Sequence, residues 1–535
     1  MENSFIQLND LPDEILLIIL KKLPNTDVLY SLLGVNKRLD TIVQDSIFTR
    51  FLTFMAPSHD LDRITEPILS RFYFEILPKI CHKILWLNLE SVSMDRILLV
   101  TTYPNLYGLA LHKLTSERAR DLFTDGSYLI RIFKFQLLSL AIHISKCKER
   151  TSSIKDINIF IFTQILTKFK YLQSLNFSPF DDSDYHRLTF DDFDYHRLTF
   201  GISPPNILSS TLLELSVVVD SYQDCLYLLD GRFNQLNKFY VTICSSNIPT
   251  LPVINNKKKL PKLKCFVLNH ESILLVYNNI LIPLLHRMLN LEELSLYFVC
   301  CNVGIIDGTN LKENIFNYMT KLKKFKFNIR SIIPFNNQVN LPSNENIKNT
   351  FKNFKNYKII SYIDYFPKAN EFHFRIYSYP YPSLYYYNIT NNFHRGLFNS
   401  VSDISLYDER PFEHEFFLQI AKSFPCIRKL RIHNWEPQKN DKQQCSIIEY
   451  PYLRELYLVR IHENYLEQFL NNTKMHLLNN IDLHVDYDSL QTVTGNFTSD
   501  TRRINCGKIE CLILYHRPDI SLDLIEDYFP HAAVY

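Results

Sequence analysis

LRELYL, residues 453–458, places apolar side chains at its first, fourth and sixth positions, and this six-residue frame recurs along most of the chain. Strand side chains alternate between faces, so the frame's apolar residues point inward and the residues between and after them point to the opposite face. The frame reads VSDISL at Val401, IRKLRI at Ile427, LNNIDL at Leu478 and IECLIL at Ile509. Upstream it reads LYGLAL at Leu106, LQSLNF at Leu172, LLELSV at Leu212, LNKFYV at Leu236, LKCFVL at Leu263, LEELSL at Leu291 and LKKFKF at Leu322. Weaker copies are ILWLNL at Ile84 and ANEFHF at Ala369. The steps from 212 to 291 are 24, 27 and 28 residues, and those from 401 to 478 are 26, 26 and 25. Such steps fall in the leucine-rich-repeat range of roughly 20–29 residues.

An aromatic–proline pair often precedes the frame, as at Tyr103-Pro104, Phe366-Pro367, Phe424-Pro425 and Tyr450-Pro451, and Phe529-Pro530 repeats it near the end. Proline there stops a helix and forces extended chain. Between frames the period becomes helical: Phe412, Phe416, Ile420 and Phe424 recur every four residues. Each unit therefore reads helix, turn, short strand. One unit cannot bury both its faces, so the units stack into a parallel sheet with helices outside. The predicted fold class is α/β, a leucine-rich-repeat-like horseshoe over 84–535. Degenerate units are expected near Ile132 and Ile154, and loop insertions at about 180–205 and 330–365. FDDSDYHRLT and FDDFDYHRLT, 180–199, are a tandem duplication. A loop between units accommodates that at little cost, and a metal site at Asp184/His186 and Asp194/His196 is the lesser reading. YSYPYPSLYYYN, 377–388, reads as an extended tyrosine–proline linker or, second, a recognition loop.

Composition bounds the function. Of 535 residues, 46% are hydrophobic and the formal net charge is +2. That is a globular balance, without the basic excess a nucleic-acid binder needs. Eleven cysteines, odd in number and without a CxxC, read as free thiols of a reducing compartment, cytoplasmic or nuclear. Ten glycines include no GxxxxGK and no GxGxxG, and neither HExxH nor GxSxG occurs. No cofactor, metal or membrane partner is expected.

The N-terminal stretch LNDLPDEILLIILKKLP, 8–24, is a strongly apolar helix with Pro12 at its start and Asp13 and Glu14 in its first turn. Two more short helices follow, over NTDVLYSLLGV and VNKRLDTIVQD. So thin a bundle carries more apolar surface than it can hide. These residues resemble an F-box: Leu11-Pro12, Glu14, Ile15-Leu16, Ile19-Leu20, Leu23-Pro24, Leu29 and Val35-Asn36-Lys37-Arg38 stand at the family's positions. Leu39 and Phe48 replace tryptophans that are frequent in it.

The resemblance implies an F-box over 5–52, a helical linker or cap over 53–83, and docking to the Skp-type adaptor and cullin of an SCF-type ubiquitin ligase. The adaptor-binding residues it implies are Leu11, Pro12, Ile15, Leu16, Ile19, Leu20, Leu23, Pro24, Leu29, Val35 and Asn36. A protein substrate, unidentified, is expected on the concave face. There the outward strand positions from 369 onward turn to His373, Arg375, Tyr407, Arg431, His433, Tyr457, His484 and Tyr515, the residue types of binding hot spots. The chain is then a non-catalytic adaptor. The alternatives are an F-box scaffold outside any ligase and a repeat module that its own N-terminal helices cap.

Overall fold

The computed structural model describes residues 11–55, 66–144, 153–177, 197–201, 204–245, 258–301, 303–335, 344–352, 354, 357–393, 396–439, 446–499, 503–516 and 523–535. The duplicated aspartate–histidine motif lies outside them. The chain divides into two compact units. The first comprises the described residues of Met1–Ser272, Asn279–Leu294 and Tyr318–Lys323; the second comprises Ile273–Asn278, Ser295–Asn317 and Lys324–Tyr535.

The first unit begins with helices α1 (Asp13–Leu20), α2 (Asn25–Leu32), α3 (Lys37–Val43) and α4 (Ser46–Thr49). Gly34, at φ +90°, turns the chain out of α2, a conformation that a side chain disfavours. The Asn36 amide oxygen then caps α3 by accepting from the Leu39 N–H at 2.8 Å. The chain passes straight into β1 (Phe51–Phe54), whose register partner is β2 (Trp86–Glu90). The sheet thus starts before the expected linker. Residues 66–83 between the two strands are helical.

Six further strands follow: β3 (Gly108–Leu114), β4 (Ser139–Ile144), β5 (Ser174–Phe177), β6 (Glu214–Val219), β7 (Lys238–Ile243) and β8 (Cys265–Leu274). They are parallel and lie in sequence order. Leu106, Leu109, Leu111, Leu215, Phe239 and Phe266 of the repeat frames are all fully buried. The residues between them differ widely in size, from Gly108 and Ala110 to Lys238 and Tyr240. Gly108 is obligatory, since a Cβ there would meet the Trp86 ring at 1.8 Å.

The unit expected at Ile132 is instead LLSLAI, 137–142: Leu137 and Leu140 are buried while Ile132 is exposed. Ile154 falls in the helix Ser153–Lys168 rather than in a strand.

In the second unit the parallel rule is broken once. Strands β9 (Glu293–Cys301), β10 (Lys324–Pro334), β11 (Lys358–Phe366) and β12 (Glu371–Tyr379) lie in the order β9-β10-β12-β11. β12 runs antiparallel to both β10 and β11. The ANEFHF copy therefore belongs to a hairpin, not to a parallel unit, and the two ends of the expected insertion, 330–334 and 358–365, are strand. Pro367 and Asn370 explain this: a tight four-residue turn with Asn370 at φ +54° reverses the chain where a helix would have continued it.

A seven-stranded sheet follows, in the order β13 (Tyr385–Ile389), β14 (Asp403–Tyr407), β15 (Lys429–His433), β17 (Glu455–Leu458), β19 (Ile481–Asp486), β20 (Ile509–Tyr515) and β21 (Ala533–Val534). Its pairings are parallel. β16 (Ile448–Glu449) and β18 (Met475–His476) form a separate small pair. Helix Glu463–Leu470 packs Tyr465, Leu466, Phe469 and Leu470 onto the sheet's apolar face, as the helical period predicts.

Two details depart from the pattern. Leu478, the predicted frame residue, is exposed at 47%, and Leu477 is buried in its place. YSYPYPSLYYYN is not an open linker: its two ends are strand. Tyr377, Tyr381 and Tyr386 are buried in one cluster with Phe393 and Phe398, and the Tyr362 and Tyr386 hydroxyls bond at 2.9 Å.

No described helix is long and apolar enough to cross a membrane. Nine cysteines among the described residues are free.

Candidate functional site

The first candidate surface is the N-terminal helical segment. In α1, Leu16 and Leu20 point inward, and with Val28, Leu29, Leu39, Val43 and Phe48 they form its core. The opposite stripe of α1 has no cover: Ile15, Ile18 and Ile19 are 42%, 57% and 42% exposed, and Leu23 and Val35 nearby are 49% and 58% exposed. Pro12 and Pro24 are exposed beside them. Positions 15, 18 and 19 follow the helical period and share one face, and Leu23 follows in the turn after the helix. Monomeric proteins rarely expose contiguous apolar surface of this kind unless a partner uses it.

The geometry divides the sequence-derived adaptor residues. Leu16, Leu20 and Leu29 are interior and serve the fold, so these three are corrected from contact to support, while Asn36 is half-buried and caps α3. Leu11 is half-buried. Pro12, Ile15, Ile19, Leu23, Pro24 and Val35 remain outward. Ile18 is the residue that sequence reasoning missed. Its helical phase, three after Ile15, was the available signal.

The segment is fastened to the first unit. The Asn25 side-chain amide donates to the Phe51 carbonyl at 2.9 Å. The Arg71 guanidinium donates to the Leu33 carbonyl at 2.8 Å and lies 5.1 Å over the Tyr30 ring. The exposed stripe therefore sits on a segment bonded to the residues around the sheet's first strand.

The second candidate surface is the polar face of the seven-stranded sheet. Register aligns Asp403, Lys429, Glu455 and Asp482 in one row and Ser405, Arg431, Tyr457 and His484 in the next. The rows are knitted together. Arg431 Nη1 sits 2.8 Å from Asp403 Oδ1, and Lys429 Nζ sits 2.6 Å from Glu455 Oε2. The Arg431 guanidinium lies 5.3 Å over Tyr457, and the Tyr457 ring stacks on His484 at 3.7 Å. His484 Nδ1 is 3.4 Å from the Tyr515 hydroxyl.

Burial sets the electrostatics of this ladder. It raises the Asp403 carboxyl to about 6, with Arg431 and Lys429 pulling the other way. It holds His484 down to about 4, assisted by Lys429 and Arg431. The four charges cancel, which is how charges survive under cover.

The sequence reading expects these side chains to face solvent. Four do not: His373, Arg375, Arg431 and His484 are all under 9% exposed. On β12, Arg375 stands in register with Arg330 and Tyr362, donates to the Tyr387 carbonyl and lies 4.8 Å from the Tyr386 ring centre. His373 Nε2 meets Glu371 Oε1 at 2.8 Å. Burial and then Arg330 and Arg375 push it down to about 3. The cause is strand stacking: neighbours about 4.8 Å apart shield one another's long side chains. Tyr407 and Tyr457 are half-buried, while His433 and Tyr515 are exposed.

The face also opens at one end. The turns after β14, β15 and β17, with the β11–β12 turn, enclose about 410 Å³ around Tyr407, His433, Trp435 and Arg460. Sequence reasoning did not single out Trp435 or Arg460, which lie beyond the repeat frame. Among the described residues, no group of three His, Cys, Asp or Glu side chains is placed to hold a metal ion.

The first surface defines the class: a short helical module with an uncovered apolar stripe. Residues 8–51 match the family model of the F-box domain, so the chain carries an F-box at its N-terminus. No curated protein matches the chain as a relative. Among solved structures, a chain in the crystal structure of the Rad7 and Elc1 complex in yeast is similar at 13% identity. The comparison covers 89% of each chain with a TM-score of 0.29.

Proposed function

We propose that this chain is the substrate-recognition adaptor of an SCF-type cullin-RING ubiquitin ligase. Its F-box docks a Skp-type adaptor, through which it reaches the cullin, and the polar side of its second unit binds a target protein. The observation that carries this reading is the F-box's own division of labour. Leu16, Leu20 and Leu29 are consumed by its core, while Ile15, Ile18, Ile19, Leu23 and Val35 stay outward and uncovered. A foreign apolar surface satisfies that stripe.

The chain does no bond chemistry in this reading. It holds a target near a charged ubiquitin-conjugating enzyme, so that a lysine attack otherwise limited by encounter becomes effectively intramolecular.

The test is co-purification with a Skp-type adaptor, comparing the intact chain with one that carries aspartate at Ile15 and Ile19. The intact chain retains the adaptor and the variant, still folded by thermal unfolding, does not. A chain that never retains the adaptor sinks the proposal. A chain that retains it while no bound partner accumulates on proteasome inhibition is a scaffold rather than a ligase subunit.

A further inference from the structure

We propose that the target is gripped at the rim of the second unit's parallel sheet, in the cavity beside Trp435 and Arg460. The segment taken there is a peptide that sets an apolar anchor next to a carboxylate. This rests on the target-binding reading above and moves the docking point away from the ladder residues Arg431 and His484, which are engaged by Asp403 and Tyr457. Turns at strand ends, unlike the strands, are free to vary in shape and charge without disturbing the stack.

The hydrogen-bonding state of the cavity wall gives the polarity of the ligand. Its carboxylates are already engaged by this chain. Glu409 accepts from the backbone N–H groups of Lys368 and Ala369, both at 2.7 Å. Asp408 accepts from the Asn391 N–H at 2.8 Å and the Arg410 N–H at 3.0 Å. Glu436 pairs with the Lys368 ammonium. The Lys368 ammonium and the Asn434 amide, which donates to the Arg410 carbonyl at 2.7 Å, are engaged as well, but three side-chain donors are not. Among the described residues the Arg460 guanidinium, the Trp435 indole N–H and the Tyr407 hydroxyl have no hydrogen-bond partner, and Arg460 uses only its backbone N–H, toward Asp486. A wall whose carboxylates are all engaged, with three side-chain donors idle, fits a ligand that brings acceptors.

The apolar half of the argument is Trp435, 67% exposed on the cavity wall. Tryptophan, tyrosine and arginine around one concavity are the composition of a binding hot spot. A volume of about 410 Å³ is at the lower end of the roughly 300–1,000 Å³ of ligand pockets, right for one anchoring side chain and its flanks.

The chain has two tryptophans, so Trp86→Phe leaves Trp435 as the only indole reporter. The full-length variant, bound to its adaptor, is titrated with three capped heptapeptides. Each has a central phenylalanine, flanked by glutamates, by lysines or by serines, and calorimetry on the unsubstituted chain runs in parallel. The acidic peptide is expected to change Trp435 emission saturably and to bind at least tenfold more tightly than the lysine peptide. Arg460→Ala is expected to weaken it about tenfold without altering thermal unfolding.

Equal or tighter binding of the lysine peptide overturns the inference. So does indifference to Arg460→Ala, or the absence of saturable binding by all three in both assays. Retention of the adaptor is scored in the same preparation. A complex that keeps its adaptor but ignores the peptides refutes the rim site alone, whereas loss of the adaptor refutes the parent reading.

Discussion

Alanine at both Ile15 and Ile19 measures what the F-box stripe contributes. Each side chain is 42% exposed, so docking gains only that remainder and not a whole residue. Full burial of an aliphatic side chain contributes about 1.5–3 kcal/mol. The exposed share of each isoleucine therefore contributes about 0.6–1.3 kcal/mol. The pair should weaken adaptor binding by about 1.2–2.6 kcal/mol, roughly 8- to 80-fold. Adding Ile18→Ala and Leu23→Ala removes the more exposed residues and brings the loss to about 3–6 kcal/mol, beyond a hundredfold.

The assay is calorimetric titration of a purified Skp-type adaptor into each variant, with thermal unfolding beside it. Exposed aliphatics should leave the melting temperature nearly unchanged. The control is Leu20→Ala. That residue is 3% exposed and its truncation should cost about 2–5 kcal/mol of stability, acting on binding only through the fold. An affinity unchanged in the double variant, or a large drop in its melting temperature, would refute the reasoning, since the stripe would then be idle or packed within the chain.

Other perturbations test the interior. Arg431→Met leaves Asp403 buried without its partner and should destabilise by about 3–5 kcal/mol in denaturant unfolding, with much of the loss recovered by adding Asp403→Leu. Gly108→Val sets a branched side chain into the Trp86 ring and should lower the melting temperature measurably, an effect that Trp86→Ala in the same chain should relieve.

Acid should destabilise the second unit through His484 and His373. Both are held below the ordinary histidine value of about 6.5, at about 4 and about 3. The unfolded chain therefore binds their protons first. Their contribution is complete above about pH 6.5 and is lost as pH falls toward 4 and then 3. Asp403, raised to about 6, acts in the opposite sense over about pH 4–6. His484→Phe should flatten the acid limb of a stability–pH curve measured by urea unfolding, and a steeper limb would count against it.

The repeat frame was legible because it is local. Leu453, Leu456 and Leu458 are buried, as are Ile427, Leu430 and Ile432, and the aromatic before each proline, from Tyr103 to Phe529, is buried too. A strand's period of two and a helix's of 3.6 write inside and outside directly into the chain. The same logic failed by one residue at Leu477 and Leu478, where two adjacent leucines satisfy the pattern equally and only packing chooses. It failed at LLSLAI because neighbouring isoleucines offered a competing register.

The hairpin of β11 and β12 was hidden for a different reason. An apolar strand reads the same whether its neighbour runs parallel or antiparallel. The tyrosine-rich run 377–388 was hidden because aromatic residues beside prolines resemble an open linker until other aromatics close around them.

The sequence by itself determined that helices and strands alternate over most of the chain, that a short helical module precedes them, and that this module has more apolar surface than it can bury. Those are properties of side-chain order, carried by neighbours along the chain. Only the tertiary structure decided which polar residues are available. Arg375, Arg431 and His484 lie on the face the pattern calls exposed, yet stacked strands shield them, while Trp435 and Arg460 stand open in turns the pattern does not describe. Exposure is set by what lies across the sheet, tens of residues away in the chain, and periodicity carries no information at that range.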